Sequence, residues 1–112
     1  MTTENENSII SEEIEAGYKR TIAYLENLMV TICEFTNGPG KSAQPPHSHP
    51  HEQITYVAEG DLLFFKAGKE FKLSKGDIIT IPPDVPHCIQ VLSKHVTLID
   101  SFNPIRKEFF KK

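Results

Sequence analysis

Turn signals recur along this chain at short, even intervals, and they leave little room for a helix. From residue 36 onward they are Asn37-Gly38-Pro39-Gly40, Pro45-Pro46, Glu59-Gly60-Asp61, Ala67-Gly68-Lys69, Lys75-Gly76-Asp77 and Pro82-Pro83-Asp84-Val85-Pro86. Glycine and proline at such positions favour tight reversals, and proline also removes a backbone donor. The stretches between them are short and rich in β-branched and aromatic residues: Ile54 to Ala58, Leu62 to Lys66, Phe71 to Leu73, Ile78 to Ile81, His87 to Leu92 and Val96 to Ile99. Short strands separated by regular turns predict an all-β sandwich or barrel.

The segment before residue 36 is ambiguous by local pattern. Ile14, Tyr18, Ile22, Leu25 and Leu28 or Met29 recur at helical steps. Read in twos, Tyr18 to Leu25 and Leu28 to Phe35 form a hairpin that turns at Glu26-Asn27. The strand regularity downstream tips the choice toward the hairpin. Residues 1–11 are polar and are expected to be a flexible N-terminus, leaving residues 12–112 as a single domain.

Composition narrows the class. The 112 residues suffice for one core, and 38% hydrophobic with 24% charged residues suits a soluble globular protein. A net charge of −3 with scattered lysines gives no electrostatic case for nucleic acid or an anionic membrane as partner. No apolar run approaches a membrane span, and the polar, acidic start is unlike a signal peptide. Cys33 and Cys88 form no CxxC pair and read as small buried hydrophobes in a reducing compartment. The expected location is the cytoplasm.

The chemistry lies in His47-Ser48-His49-Pro50-His51-Glu52-Gln53. Alternate residues of an extended strand share a face, so His47 and His49 are expected to project together. Pro45-Pro46 forces extended backbone before them. A third histidine, His87, follows a proline-stiffened loop. Imidazoles so grouped make a natural site for a divalent transition metal, with Ni, Fe, Mn and Zn all suited. His51 shares the strand parity, and Glu52 would supply a negative charge if Pro50 distorts the strand. His95 reads as a turn residue.

HxHxxxQ followed after six residues by Gly60 resembles the first cupin motif. Gly76, five residues, Pro82 and then Pro86-His87 is similar to the second. The resemblance spans roughly residues 38 to 92 and implies a cupin double-stranded β-helix, or jelly-roll barrel. It implies one metal inside the barrel, held by His47, His49, Gln53 and His87. The motif spacing favours Gln53 over His51 or Glu52 as the fourth ligand. Cupins usually carry glutamate there, and a neutral amide leaves the ion nearly its full charge. That favours polarising a substrate oxygen over redox chemistry.

The last strand leads into Asp100-Ser101-Phe102-Asn103-Pro104-Ile105-Arg106. An acid, an aromatic platform and a guanidinium beside a metal suit a carboxylated sugar, since arginine matches a carboxylate bidentately. The same residues would also serve as a turn cap, a core aromatic and a surface charge. The DxFxPxR tail together with HxHxxxQ resembles the KdgF family of pectin-degradation cupins. That resemblance implies a cyclic 4,5-unsaturated galacturonate as substrate and the linear 4-deoxy-5-keto-uronate as product. It gives Asp100, Phe102 and Arg106 the catalytic roles. The alternatives are an Fe- or Mn-dependent quercetinase-type dioxygenase and a non-enzymatic sugar-binding cupin. A homodimer joined through exposed sheet edges is the expected assembly.

Overall fold

The computed structural model describes residues 9–110. Nine strands run in chain order: β1 (Ile9–Glu15), β2 (Tyr18–Tyr24), β3 (Met29–Phe35), β4 (Glu52–Glu59), β5 (Asp61–Lys66), β6 (Lys69–Ser74), β7 (Ile78–Ile81), β8 (His87–Val91) and β9 (Val96–Asn103). A single 3-10 turn, Lys107–Phe110, is the only helical element among the described residues. The hairpin reading of the N-terminal segment is therefore the observed one, with β2 and β3 paired from Tyr18–Phe35 to Tyr24–Met29.

The strands form a six-stranded sheet in the order β1-β2-β3-β9-β4-β7 and a three-stranded sheet in the order β6-β5-β8. Alternation along each strand sends one side inward, as in β4, where Gln53, Thr55 and Val57 are buried while Ile54 and Tyr56 face out. The main core fills the space between the sheets with Cys33, Val57, Leu62, Phe64, Leu73, Ile79, Ile81, Ile89, Val91, Val96 and Leu98. A smaller cluster of Ile22, Met29 and Phe102 is covered by Tyr24, Ile105, Phe109 and Phe110. Gly60 closes the β4–β5 turn with φ +92°, and a Cβ there would overlap the His95 carbonyl oxygen.

Two expectations are corrected. Ile9, Ile10 and Ser11, placed in the flexible N-terminus by composition, belong to β1, where they pair with Ala23, Ile22 and Thr21. Pairing to a neighbouring strand supplies the order that their own composition does not. The remainder of that segment, residues 1–8, lies outside the described residues. His47 and His49 are not neighbours on a regular strand. His47 forms an isolated bridge with His87, and His49 sits outside the named strands. Pro45, Pro46 and Pro50 interrupt the ladder on both sides of the pair.

The loop over residues 36–51 is nonetheless laced to β8 and the segment after it. Gly38, Gly40 and Gln44 donate their N–H groups to the carbonyls of Lys94, Val91 and Ile89. His47 and His87 exchange both backbone hydrogen bonds, at 3.0 and 2.8 Å. Residues paired this way in antiparallel backbone present their side chains on the same face. The lacing thus brings the two histidine-bearing segments together.

Candidate metal centre

Three imidazoles converge inside the barrel. The ligand atoms of His47, His49 and His87 lie within 4.8 Å of one another, a grouping able to hold one metal ion. Ring centroids are 4.3 Å apart for His47 and His87, 4.9 Å for His49 and His87, and 5.8 Å for His47 and His49. His49 and His87 are buried, whereas His47 is exposed at the rim.

Hydrogen bonds fix the tautomers of two rings. His87 Nδ1 donates to the Val85 carbonyl at 2.8 Å, and His49 Nδ1 donates to the His51 carbonyl at 3.1 Å. A carbonyl only accepts, so each Nε2 is left with its lone pair. His87 Nε2 is buried without a hydrogen-bond partner. His49 Nε2 lies 3.0 Å from Gln53 Oε1.

The Gln53 amide is oriented from its other end. Its Nε2 donates to Thr55 Oγ1 at 2.8 Å, and Thr55 Oγ1 donates to Asp100 Oδ1 at 2.6 Å. Gln53 Oε1 and His49 Nε2 are then two acceptors facing each other. A cation between them reconciles the pair. Two ligands each about 2.1 Å from one ion at a right angle stand about 3 Å apart, which matches their separation. The donor set therefore fits a divalent metal.

Desolvation, reinforced by the neighbouring His87, Arg106 and His49, pushes the His47 pKa down to about 4. Desolvation likewise lowers His49 and His87, with Arg106 adding to both effects. Neutral imidazole is the ligand form.

Behind the histidines lies a cavity of about 350 Å³, near the lower end of small-molecule sites. His47, Gln53, His87, Asp100, Phe102 and Arg106 all line it. Sheet register explains the arrangement. Asp100 stands between Thr31 of β3 and Thr55 of β4, while Phe102 stands between Met29 and Gln53. The expected site residues are thus gathered in one place, with His49 beside Phe102 at 5.8 Å between centroids. Burial raises the Asp100 pKa, against the hydrogen bonds from Thr55 and Cys33 and the charge of Arg106. Arg106 lies over the Phe102 ring at 5.2 Å and over Phe109 at 4.2 Å.

The other candidates occupy different positions. The His51 ring is buried but outside the group of three, and its carbonyl orients His49. Glu52 faces outward at the start of β4. Cys33 and Cys88 are free and buried, as expected. Yet Cys33 also meets Tyr18 Oη at 3.6 Å and Asp100 Oδ2 at 3.7 Å.

The sequence reading did not find Tyr18, Arg20, Thr31 or Phe109, which also line the cavity. It also missed Thr55, which links Gln53 to Asp100. Inward parity along β2 and β4 is the signal that would have found Tyr18, Arg20 and Thr55.

Two cupin motifs' worth of histidines inside a two-sheet barrel define a cupin, and the chain belongs to that family. The family model described as "Cupin domain" matches residues 34–102. Within it, the chain belongs with the KdgF proteins. It is 33% identical over 100 residues to pectin degradation protein KdgF of Dickeya dadantii (strain 3937), covering 88% of each chain. The structure of KdgF from Halomonas sp. superposes with a TM-score of 0.78 at 29% identity, over 89% of this chain and 90% of that one. An RmlC-like cupin from Shewanella frigidimarina NCIMB 400 superposes with a TM-score of 0.79 at 30% identity, over 95% of this chain and 93% of that one.

Proposed function

We propose that this metal-binding cupin acts in pectin degradation, opening cyclic 4,5-unsaturated galacturonate to the linear 4-deoxy-5-keto-uronate. The observation that carries this reading is the buried line from His49 through Gln53 and Thr55 to Asp100, which sets a carboxyl group beside a charge-neutral ligand set. His47, His49, Gln53 and His87 would hold one divalent ion, with Ni, Fe, Mn and Zn all compatible. Bound there, the ion supplies Lewis-acid polarisation of a substrate oxygen.

The chain's own residues do the rest. Arg106 holds the sugar carboxylate through a charge-assisted contact. Phe102 packs against the ring and keeps water from that face. Asp100, its proton affinity raised by burial, takes the proton of the C1 hydroxyl as the C1–O5 bond breaks. Asp100 returns that proton to O5, leaving the aldehyde at C1 and the enol at C5, and transfer of the enol proton to C4 gives the ketone. No atom is gained or lost. The test is incubation of metal-loaded protein with the unsaturated galacturonate, following loss of its conjugated double bond. Absence of acceleration, with metal shown to be bound, defeats the reading.

A homodimer belongs to the same proposal. The edge strand β1 exposes Ile9 and Ile14, and the outer face of the large sheet carries the cross-strand row Ile32, Ile99, Tyr56 and Ile78. Light scattering of the protein and of Ile78→Asp reads out its mass, and a monomer in the unsubstituted protein overturns the dimer. Two free thiols are in keeping with a reducing cytoplasm.

A further inference from the structure

Arg20 projects into the cavity from β2, on the wall opposite Phe64, His87 and Ile89 of the smaller sheet. Its register partners are Glu12 on β1 and Cys33 on β3. Its guanidinium lies over the Phe109 ring at 4.0 Å, and Arg106 lies over the same ring at 4.2 Å. One aromatic ring thus positions two cations that line one cavity. Cation–π packing of this kind holds a guanidinium without using its donors.

Those donors are unevenly used. Nη2 meets Glu12 Oε1 in one contact of 3.3 Å, while Nε is buried with no hydrogen-bond partner. A buried N–H of a charged group needs an acceptor. Charge points the same way. Asp100 is the carboxyl group among the cavity's lining residues, against two arginines and whatever ion the imidazoles hold. A ligand with a single carboxylate, held by Arg106, leaves Arg20 with its one contact to Glu12 and a buried Nε that has no acceptor.

We propose that Arg20 forms a second anchoring subsite, and that the pocket takes short sugar acids with a strongly accepting oxygen group at each end. Arg106 takes one carboxylate, and Arg20 takes a carboxylate or developing oxyanion at the other. Its place beside Cys33, which touches Asp100, fits this role. The C1 oxygen that loses its proton during ring opening would be the group it meets. To that extent the subsite rests on the sugar-acid reading given above.

Calorimetric binding separates the two ideas. Galactonate and galactarate are open-chain hexose acids that differ by one terminal carboxylate. Metal-loaded full-length protein should bind galactarate about tenfold more tightly, the effect of one added charge-assisted contact. Arg20→Gln should bring the two affinities together, and Arg20→Lys should keep part of the preference. Glu12→Gln should leave the preference intact. Equal affinities in the unsubstituted protein overturn the subsite alone. A preference that survives Arg20→Gln does so too, because chelation by the ion then explains it. Failure of both acids to bind overturns the subsite together with the sugar-acid reading.

Discussion

Thr55 Oγ1 stands 2.6 Å from Asp100 Oδ1 and 2.8 Å from Gln53 Nε2, so one buried hydroxyl decides which way the Gln53 amide points. Its single proton goes to the carboxylate, and its lone pair accepts from the amide. Glutamate at position 53, common in other cupins, would set two carboxylates across that one proton. The neutral residue and the acid are in this sense a matched set.

Removing the hydroxyl should release the amide. Thr55→Val keeps the shape of a side chain that is fully buried, but lets Gln53 present nitrogen to the ion. We expect metal affinity to fall about 10–100-fold, as for other groups that orient a ligand. Thr55→Ser should retain affinity. In a Gln53→Glu background, Thr55→Val should cost little, because a carboxylate presents oxygen either way. Competition with a chromogenic chelator measures all five proteins, the parent and the Gln53→Glu background included.

Asp100→Asn should separate chemistry from metal capture. Loss of a group that moves protons lowers turnover about 10²–10⁴-fold. Metal stoichiometry by elemental analysis should stay at that of the parent. A turnover within twofold of the parent would remove Asp100 from the proton path.

Metal binding should stabilise the fold, since the three imidazoles meet only in the folded chain. At free metal a hundredfold above the dissociation constant, the gain is about 2.7 kcal/mol. A chelator should lower the melting temperature accordingly, and His87→Ala should abolish the chelator's effect. A melting curve indifferent to chelator in the parent protein would argue against a resident ion.

The Cys33 thiol gives a pH signature. Burial first, then the nearby Asp100, pushes its pKa up from 9.0 to about 12. The folded value lies above the unfolded one, so the protonated thiol contributes stability that is complete below the unfolded pKa. That contribution is lost as pH rises toward the folded pKa. At about pH 8 a thiolate-selective reagent should leave Cys33 untouched in the folded protein and react with it in denaturant. Rapid labelling of folded Cys33 would contradict the packing described for it.

Much of the fold was legible because glycine and proline mark where strands stop. β7 falls where turn residues on either side place it, and β8 and β9 begin where expected. β1 was not legible. Its alternation, Ile-Ile-Ser-Glu-Glu-Ile-Glu, is polar, and its order comes from β2 rather than from its own residues. The imidazoles were legible from motif spacing, although the strand argument used for His47 and His49 misjudged the prolines around them. Arg20 and Phe109 were hidden for other reasons. Arg20 shares inward parity with Tyr18 and Ile22 on β2, but a charged residue there reads as solvent-facing until its neighbours are known, and Phe109 reaches the cavity through the turn after β9, a long-range relationship that no local pattern encodes.

β9 lies between β3 and β4 in the large sheet, yet it is the final strand in chain order. During synthesis, the β1–β3 meander and the segment holding β4 and β7 have no common partner until β9 emerges. The large sheet then closes around it, bringing Asp100 and Phe102 into the cavity in the same event. A ribosome-bound intermediate would therefore carry the histidines without the acid or the aromatic wall. Because the three imidazoles meet only in the folded chain, ion capture waits for the same closure, and the metal centre and its acid are completed together.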